Sequence, residues 1–174
     1  MVASIKKINI KAFTLVEMIL YVAICSVLLL SLSSMFSYLL GSRVKSQAIT
    51  EVNQQGFLVM SLITSTIRNA KSVDIPLMGN TSPTLSVTVQ SPVLSPTIFL
   101  VSSSTLVTTE GAGVAIPITN SRVRVSGVLF ENISSASSTD KIIRITYTLS
   151  YLSGSPRQEY SYTKTFVGSA TLRQ

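Results

Sequence analysis

The sequence predicts an α+β fold, a long N-terminal helix packed on a C-terminal antiparallel β head, on three observations. Met18 to Ser42 is a run of 25 uncharged, mostly apolar residues. Behind it the apolar positions recur at helical spacing, and beyond Pro76 the composition turns abruptly to Ser, Thr and Val with turn residues at short intervals. A helix-period half followed by a strand-period half is the pattern of an α+β chain. Four segments follow: a basic leader over 1–12, a membrane-type helix over 13–42, an amphipathic helix half over 43–75, and a β-rich head over 76–174. After the leader and apolar run, the 174 residues leave room for one modest globular domain.

The apolar run is long enough to cross a bilayer. At about 1.5 Å per residue its 25 residues reach roughly 38 Å, against a hydrocarbon core of about 30 Å. That exceeds the apolar region of a secretory signal peptide, which is about 7–15 residues long. Lys6, Lys7 and Lys11 precede the run and a sparsely charged chain follows it, which places the N-terminus in the cytoplasm and the head outside. A lone carboxylate, Glu17, stands at the head of the run, where a charge is costly unless something compensates it.

From Val44 onward Ala48, Val52, Val59, Ile63, Ile67 and Ala70 continue one stripe, with Gly56 in its gap, while Lys45, Gln47, Glu51, Gln54, Ser61, Thr64, Arg68 and Lys71 stay off it. No proline interrupts Phe13 to Ile75, so one continuous helix is predicted over that span. Ser31-Leu32-Ser33-Ser34 is a patch of weak helix formers, and propensity points to a local loosening there.

Met78 to Pro83 reads as the loop that ends the stalk. Strands are predicted at Leu85–Gln90, Thr97–Val101, Thr105–Thr109, Val114–Ile118, Arg122–Val125, Val128–Glu131, Lys141–Tyr151 and Gln158–Val167, each rich in β-branched or aromatic residues. Alternation is clearest in the last two. Ile143, Ile145, Tyr147, Leu149 and Tyr151 share one face, as do Tyr160, Tyr162, Lys164 and Phe166, and Leu152 to Pro156 joins the two strands as a hairpin.

The composition excludes several chemistries. Cys25 is the single cysteine and the chain has no histidine, so no intramolecular disulfide, thiolate zinc site or nucleophile–histidine catalysis is available. No metal site, cofactor or enzymatic activity is predicted. The acids Asp74, Glu110, Glu131 and Asp140 are scattered without the alternation of a calcium loop. The net charge of +7 includes the three leader lysines, and +4 remains without them, so basicity alone does not point to nucleic acid. Arg122 and Arg124 form a small basic patch, with Lys141, Arg144 and Arg157 as neighbours. A solvated strand face explains that patch better than contact with DNA phosphates, because no interleaved aromatics accompany it. Asn80-Thr81-Ser82 and Asn132-Ile133-Ser134 fit the glycosylation pattern and are given no role.

A short Lys-rich leader, a small residue at Ala12, an aromatic at Phe13, then Thr14-Leu15-Val16-Glu17 and an unbroken apolar helix together resemble the prepilin leader of type IV pilins and type II secretion pseudopilins. The resemblance implies cleavage between Ala12 and Phe13 by a prepilin peptidase and N-methylation of the new Phe13 amino terminus. It also implies pairing of Glu17 with the Phe13 amine of a neighbouring subunit during assembly. Ala12 departs from the glycine usual at that position. The implied partners are the peptidase, other pilin or pseudopilin subunits, a membrane assembly platform and the lipid bilayer. Gln54-Gln55-Gly56 to Ile67-Arg68-Asn69-Ala70, Val128 to Asn132 and the ending from Thr165 to Gln174 look most like minor pseudopilins of the GspJ or PilW kind. Two other readings stand beside this one: an unprocessed single-pass anchor presenting a β-rich binding domain, and a DNA-binding or adhesive tip pilin.

Overall fold

The computed structural model describes residues 14–135, 141–152 and 161–172, in two units divided between Ser42 and Arg43. The helix α1 runs Leu15–Arg68, and among the described residues nine strands follow in chain order: β1 Ala70–Ile75, β2 Thr81–Ser82, β3 Leu85–Val89, β4 Thr97–Ser102, β5 Thr105–Glu110, β6 Ile116–Pro117, β7 Val123–Asn132, β8 Ile142–Tyr151 and β9 Thr163–Thr171. The fold is α+β, a long N-terminal helix followed by antiparallel sheets.

In the first unit, residues 15–42 belong to α1, and the large apolar side chains from Leu15 to Leu39 are exposed. The helix passes through the serine patch without a break, where propensity pointed to loosening. Ser26, Ser31, Ser34 and Ser37 donate to the carbonyls of Val22, Leu28, Ser31 and Ser33 at 2.7–3.1 Å. Each hydroxyl thus finds a partner on its own helix, which removes most of its cost in an apolar medium.

In the second unit, α1 buries the predicted stripe: Ala48, Val52, Val59, Ile63 and Ile67 are each at most 1 % exposed. The helix ends at Arg68, not at Ile75. Asn69 donates the last helical bond to Ser65, and Ala70–Ile75 leaves the helix to pair with β3. Val73 and Ile75 are β-branched and suit a strand, and Asp74 accepts hydrogen bonds from Ser72 and, across the pair, from Thr88 at 2.9 Å. Freedom from proline allowed a longer helix; sheet pairing overrode it.

Five strands form one sheet in the order β1-β3-β4-β5-β6, and four form another in the order β2-β7-β8-β9. Leu85, Val87, Phe99 and Leu106 from the first sheet and Val123, Val125, Phe130, Ile143, Ile145, Tyr147 and Leu149 from the second meet the α1 stripe in one core. Two candidate strands, 122–125 and 128–131, merge into β7. The Ser126-Gly127 step between them is a bulge, where Gly127 takes φ 59° and the register with β8 shifts before Leu129. The 114–118 candidate shrinks to a two-residue edge strand, since Pro117 has no N–H for a ladder. The 78–83 loop contributes β2, pairing Thr81 and Ser82 with Glu131 and Phe130. Strand β9 begins at Thr163 and runs past Val167 to Thr171; Tyr160, Arg157 and most of the joining turn lie outside the described residues.

Helix and second sheet lock together around Gly56. The Tyr147 hydroxyl, on a residue 1 % exposed, donates to the Gly56 carbonyl at 2.6 Å. The Tyr147 ring stacks on Phe166 at 5.4 Å, and Phe57 meets Phe166 edge-on. Lys164 donates to Asn53 at 2.7 Å and lies 5.1 Å from the Phe166 ring centre, a cation over an aromatic face. Gly168 faces the Met60 thioether so closely that a side chain there would displace it.

Burial pushes the Tyr147 phenol well above its ordinary value, with a hydrogen bond accepted from the Met60 backbone pulling the other way. The neutral form is the one the fold favours. Its contribution is therefore complete below the unfolded value of about 10 and is lost as pH rises from there through the higher folded value. Above pH 10 the stability of the wild-type chain should fall more steeply than that of Tyr147→Phe, by up to about 1.4 kcal/mol per pH unit. Near neutrality the variant should be less stable by about 1 kcal/mol, the net value of one hydrogen bond. Thermal melts of both chains in detergent between pH 7 and 12 measure this; parallel curves throughout would show that Tyr147 does not couple to unfolding.

Candidate functional site

The first candidate region is the start of α1. Thr14 takes the N-cap role: its Oγ1 accepts from the Glu17 amide at 3.3 Å, and its carbonyl accepts from Met18 at 3.2 Å. Thr14-Leu15-Val16-Glu17 thus has the spacing of a capping box, with a carboxylate in the first helical turn, where the helix dipole favours it. This S/T-x-x-E signal was present in the sequence and gives Glu17 a local role that its anomalous charge alone did not suggest. Glu17 is half-buried, and the ion pairs among the described residues lie elsewhere. Ala12 and Phe13, the expected cleavage and methylation positions, lie outside the described residues.

The apolar helix also carries a tyrosine near each end of its uncharged run, Tyr21 and Tyr38, 50 % and 80 % exposed. Their 17-residue separation corresponds to about 26 Å of helix, close to the thickness of a hydrocarbon core. Tyrosines at such depths are the usual anchors at the two interfaces of a membrane. This helix is long and apolar enough to cross one.

The second region is a groove of about 740 Å³ at the start of the second unit, lined by Arg43, Ser46, Gln47, Thr50, Glu51, Arg122 and Tyr151. Arg43, Ser46, Gln47 and Thr50 fall at i, i+3, i+4 and i+7 and so share one face of α1. Arg122 comes from the turn before β7, and Tyr151 from the end of β8. Asn120 fixes that turn: its Oδ1 accepts from the Arg122 amide at 3.0 Å, while its Nδ2 donates to Glu51 at 2.5 Å. The Arg122 guanidinium lies 3.9 Å from the Glu51 carboxylate and remains 71 % exposed.

The expected basic patch is therefore divided. Arg122 lines the groove beside an acid, whereas Arg124 is exposed on the outer face of β7, opposite Ser150. Arg144 pairs with Glu131 at 3.1 Å, across the β7–β8 ladder. Two of the cations thus have acidic neighbours, which weakens the field available to a polyanion. Among the described residues no three His, Cys, Asp or Glu side chains gather at metal-binding distance. Asn132, in one of the two glycosylation patterns, is buried and donates to the Pro76 carbonyl while accepting from Ser134. No reading of spacing alone finds the groove, because its walls come from residues about 70 and 100 positions apart in the chain. Comparison of the chain with protein-family models, with curated proteins and with solved structures yields no match.

Proposed function

We propose that the chain is a non-enzymatic structural subunit, of the minor kind, in a type IV pilus or a type II secretion-like pseudopilus. It is made as a membrane precursor with its N-terminus in the cytoplasm, cut by a prepilin peptidase between Ala12 and Phe13, methylated at Phe13 and drawn into a filament by a membrane assembly platform. The observation that carries this reading is the division of labour along α1. One half exposes an uncharged apolar surface headed by a single carboxylate; the other buries its stripe in a β head. An apolar rod that leaves a membrane needs other apolar rods around it, and a carboxylate at its head needs a cation there. The new Phe13 amine of a neighbouring subunit supplies one, and in a low-dielectric core an opposite charge at that position also fixes the register between subunits.

Glu17→Ala should retain membrane insertion and head folding yet reduce recovery of the subunit in sheared filaments by tenfold or more, about the 1.4 kcal/mol or more that a desolvated charge pair contributes. Immunoblotting of sheared and membrane fractions from cells carrying the assembly machinery measures this. Equal recovery of Glu17→Ala and wild type would remove the assembly role of Glu17. The place of Glu17 in the first turn of α1 favours a second reading, an unprocessed single-pass anchor that presents the β head, because the helix dipole then compensates the carboxylate within one chain. In that case Glu17→Ala and Glu17→Gln both cost only the first-turn dipole contribution, about 0.3–1 kcal/mol, and leave membrane recovery unchanged.

A further inference from the structure

The groove at the base of the head lies next in the chain to the apolar run. Arg43 is the first charged residue after Ser42 and follows the interfacial Tyr38 by five residues, less than a turn and a half of helix. The headgroup layer on each side of a bilayer is about 5–7 Å deep. If residues 18–42 cross the membrane, Arg43, the next residue in the chain and one wall of the groove, stands at headgroup depth. We propose that this groove is a binding site for the phosphate of an anionic phospholipid, with Arg43 and Arg122 as its cationic walls. The proposal rests on the membrane-crossing part of the function proposed above and on nothing else in it.

The chemistry of the lining fits such a ligand. Arg43 is exposed and lines the groove, and the ion pairs among the described residues lie on other side chains. Arg122 stands 3.9 Å from Glu51, beyond hydrogen-bonding range, and Glu51 is already engaged by Asn120. A planar guanidinium whose donors are not consumed takes a phosphate in the two-pronged geometry that arginine favours. Two arginines against one glutamate leave the groove cationic. Ser46, Gln47 and Thr50 add neutral hydrogen-bonding groups suited to the hydroxyls of a glycerol headgroup, and Tyr151 adds an amphipathic ring of the kind that sits at a membrane interface. Glu51 also sets the selectivity: it repels a second negative charge, so a phosphodiester with one charge suits the groove better than a dianionic free phosphate.

The test uses the full chain reconstituted in nanodiscs of phosphatidylcholine containing phosphatidylglycerol, with insertion checked by resistance to carbonate extraction. Native mass spectrometry after mild detergent release then counts the lipids retained. Wild type should retain phosphatidylglycerol about tenfold or more over its share of the disc. Arg43→Gln and Arg122→Gln should each lose about fivefold of that preference, the effect of one basic side chain at an anionic surface. Arg124→Gln, an exposed arginine outside the groove, should match wild type, and millimolar inorganic phosphate should not displace the lipid. Circular dichroism of each variant checks that the head remains folded. Insertion without preference for phosphatidylglycerol overturns the site alone, as does an equal loss in Arg124→Gln or displacement by free phosphate. A chain that carbonate strips from the discs overturns the site together with the membrane-crossing reading.

Discussion

Ile63→Asp should leave the head without a cooperative unfolding transition, while Leu62→Asp, one residue away, should melt close to wild type. Ile63 is fully buried in the core shared by α1 and both sheets; Leu62 is 38 % exposed. A carboxylate forced into that core either stays charged without a partner or takes up a proton at the cost of a pKa raised by about 3–5 units, equivalent to about 4–7 kcal/mol. The loss of isoleucine packing adds to this. Total stabilities of single domains are only about 5–15 kcal/mol, so the substitution removes most or all of the margin. On the solvent side of the same helix, aspartate in place of Leu62 should cost no more than about 1 kcal/mol. Tyrosine fluorescence melts of the detergent-solubilised chains distinguish the two. Similar losses for both would mean that the buried stripe is wrongly placed.

Gly56→Ala should destabilise the head by about 1–3 kcal/mol, against a gain of about 1 kcal/mol that alanine brings to an unencumbered helix position. The reversal of sign is the point of the experiment. A Cβ built on Gly56 would clash with the outer edge of the Phe166 ring, and that ring has little freedom, stacked on Tyr147 and flanked by Phe57 and Lys164. Phe166→Leu, which shortens the obstacle, should make Gly56→Ala less costly than it is in the wild-type background, with a coupling of about 0.5–3 kcal/mol in a double-mutant cycle. Additive effects would show that helix and sheet do not meet at this point. The same close approach explains why glycine occupies the stripe's gap: its side of α1 is core, but the space belongs to the aromatic opposite.

Much of this architecture was legible because it rests on periodicity. Val52, Val59, Ile63 and Ile67 announce a helix face by spacing, and Ile143, Ile145, Tyr147 and Leu149 announce a strand face by alternation; both faces are buried. Propensity did less well where pairing decided the outcome. Residues 70–75 contain no helix breaker before Pro76, yet β3 offered them a ladder; Ser126-Gly127 looks like a turn, yet it bends a single strand. The candidate sites divide in the same way. Glu17 stands out because a charge heading an apolar run is visible in one dimension, and its cap from Thr14 obeys a short-range rule. The groove of Arg43, Glu51, Arg122 and Tyr151 depends on contacts that only the fold creates, so the sequence showed Arg122 beside Arg124 rather than beside Glu51.

Membership of a filament as a processed subunit, the function proposed for this chain, turns on a covalent event at the head of α1. Intact-mass measurement of the chain extracted from membranes of cells containing a prepilin peptidase tests it most directly. The expected product is a mature chain that begins at Phe13 and carries one added methyl group on its amino terminus. A chain that retains its leader through Ala12, or that begins at any other residue, would contradict it.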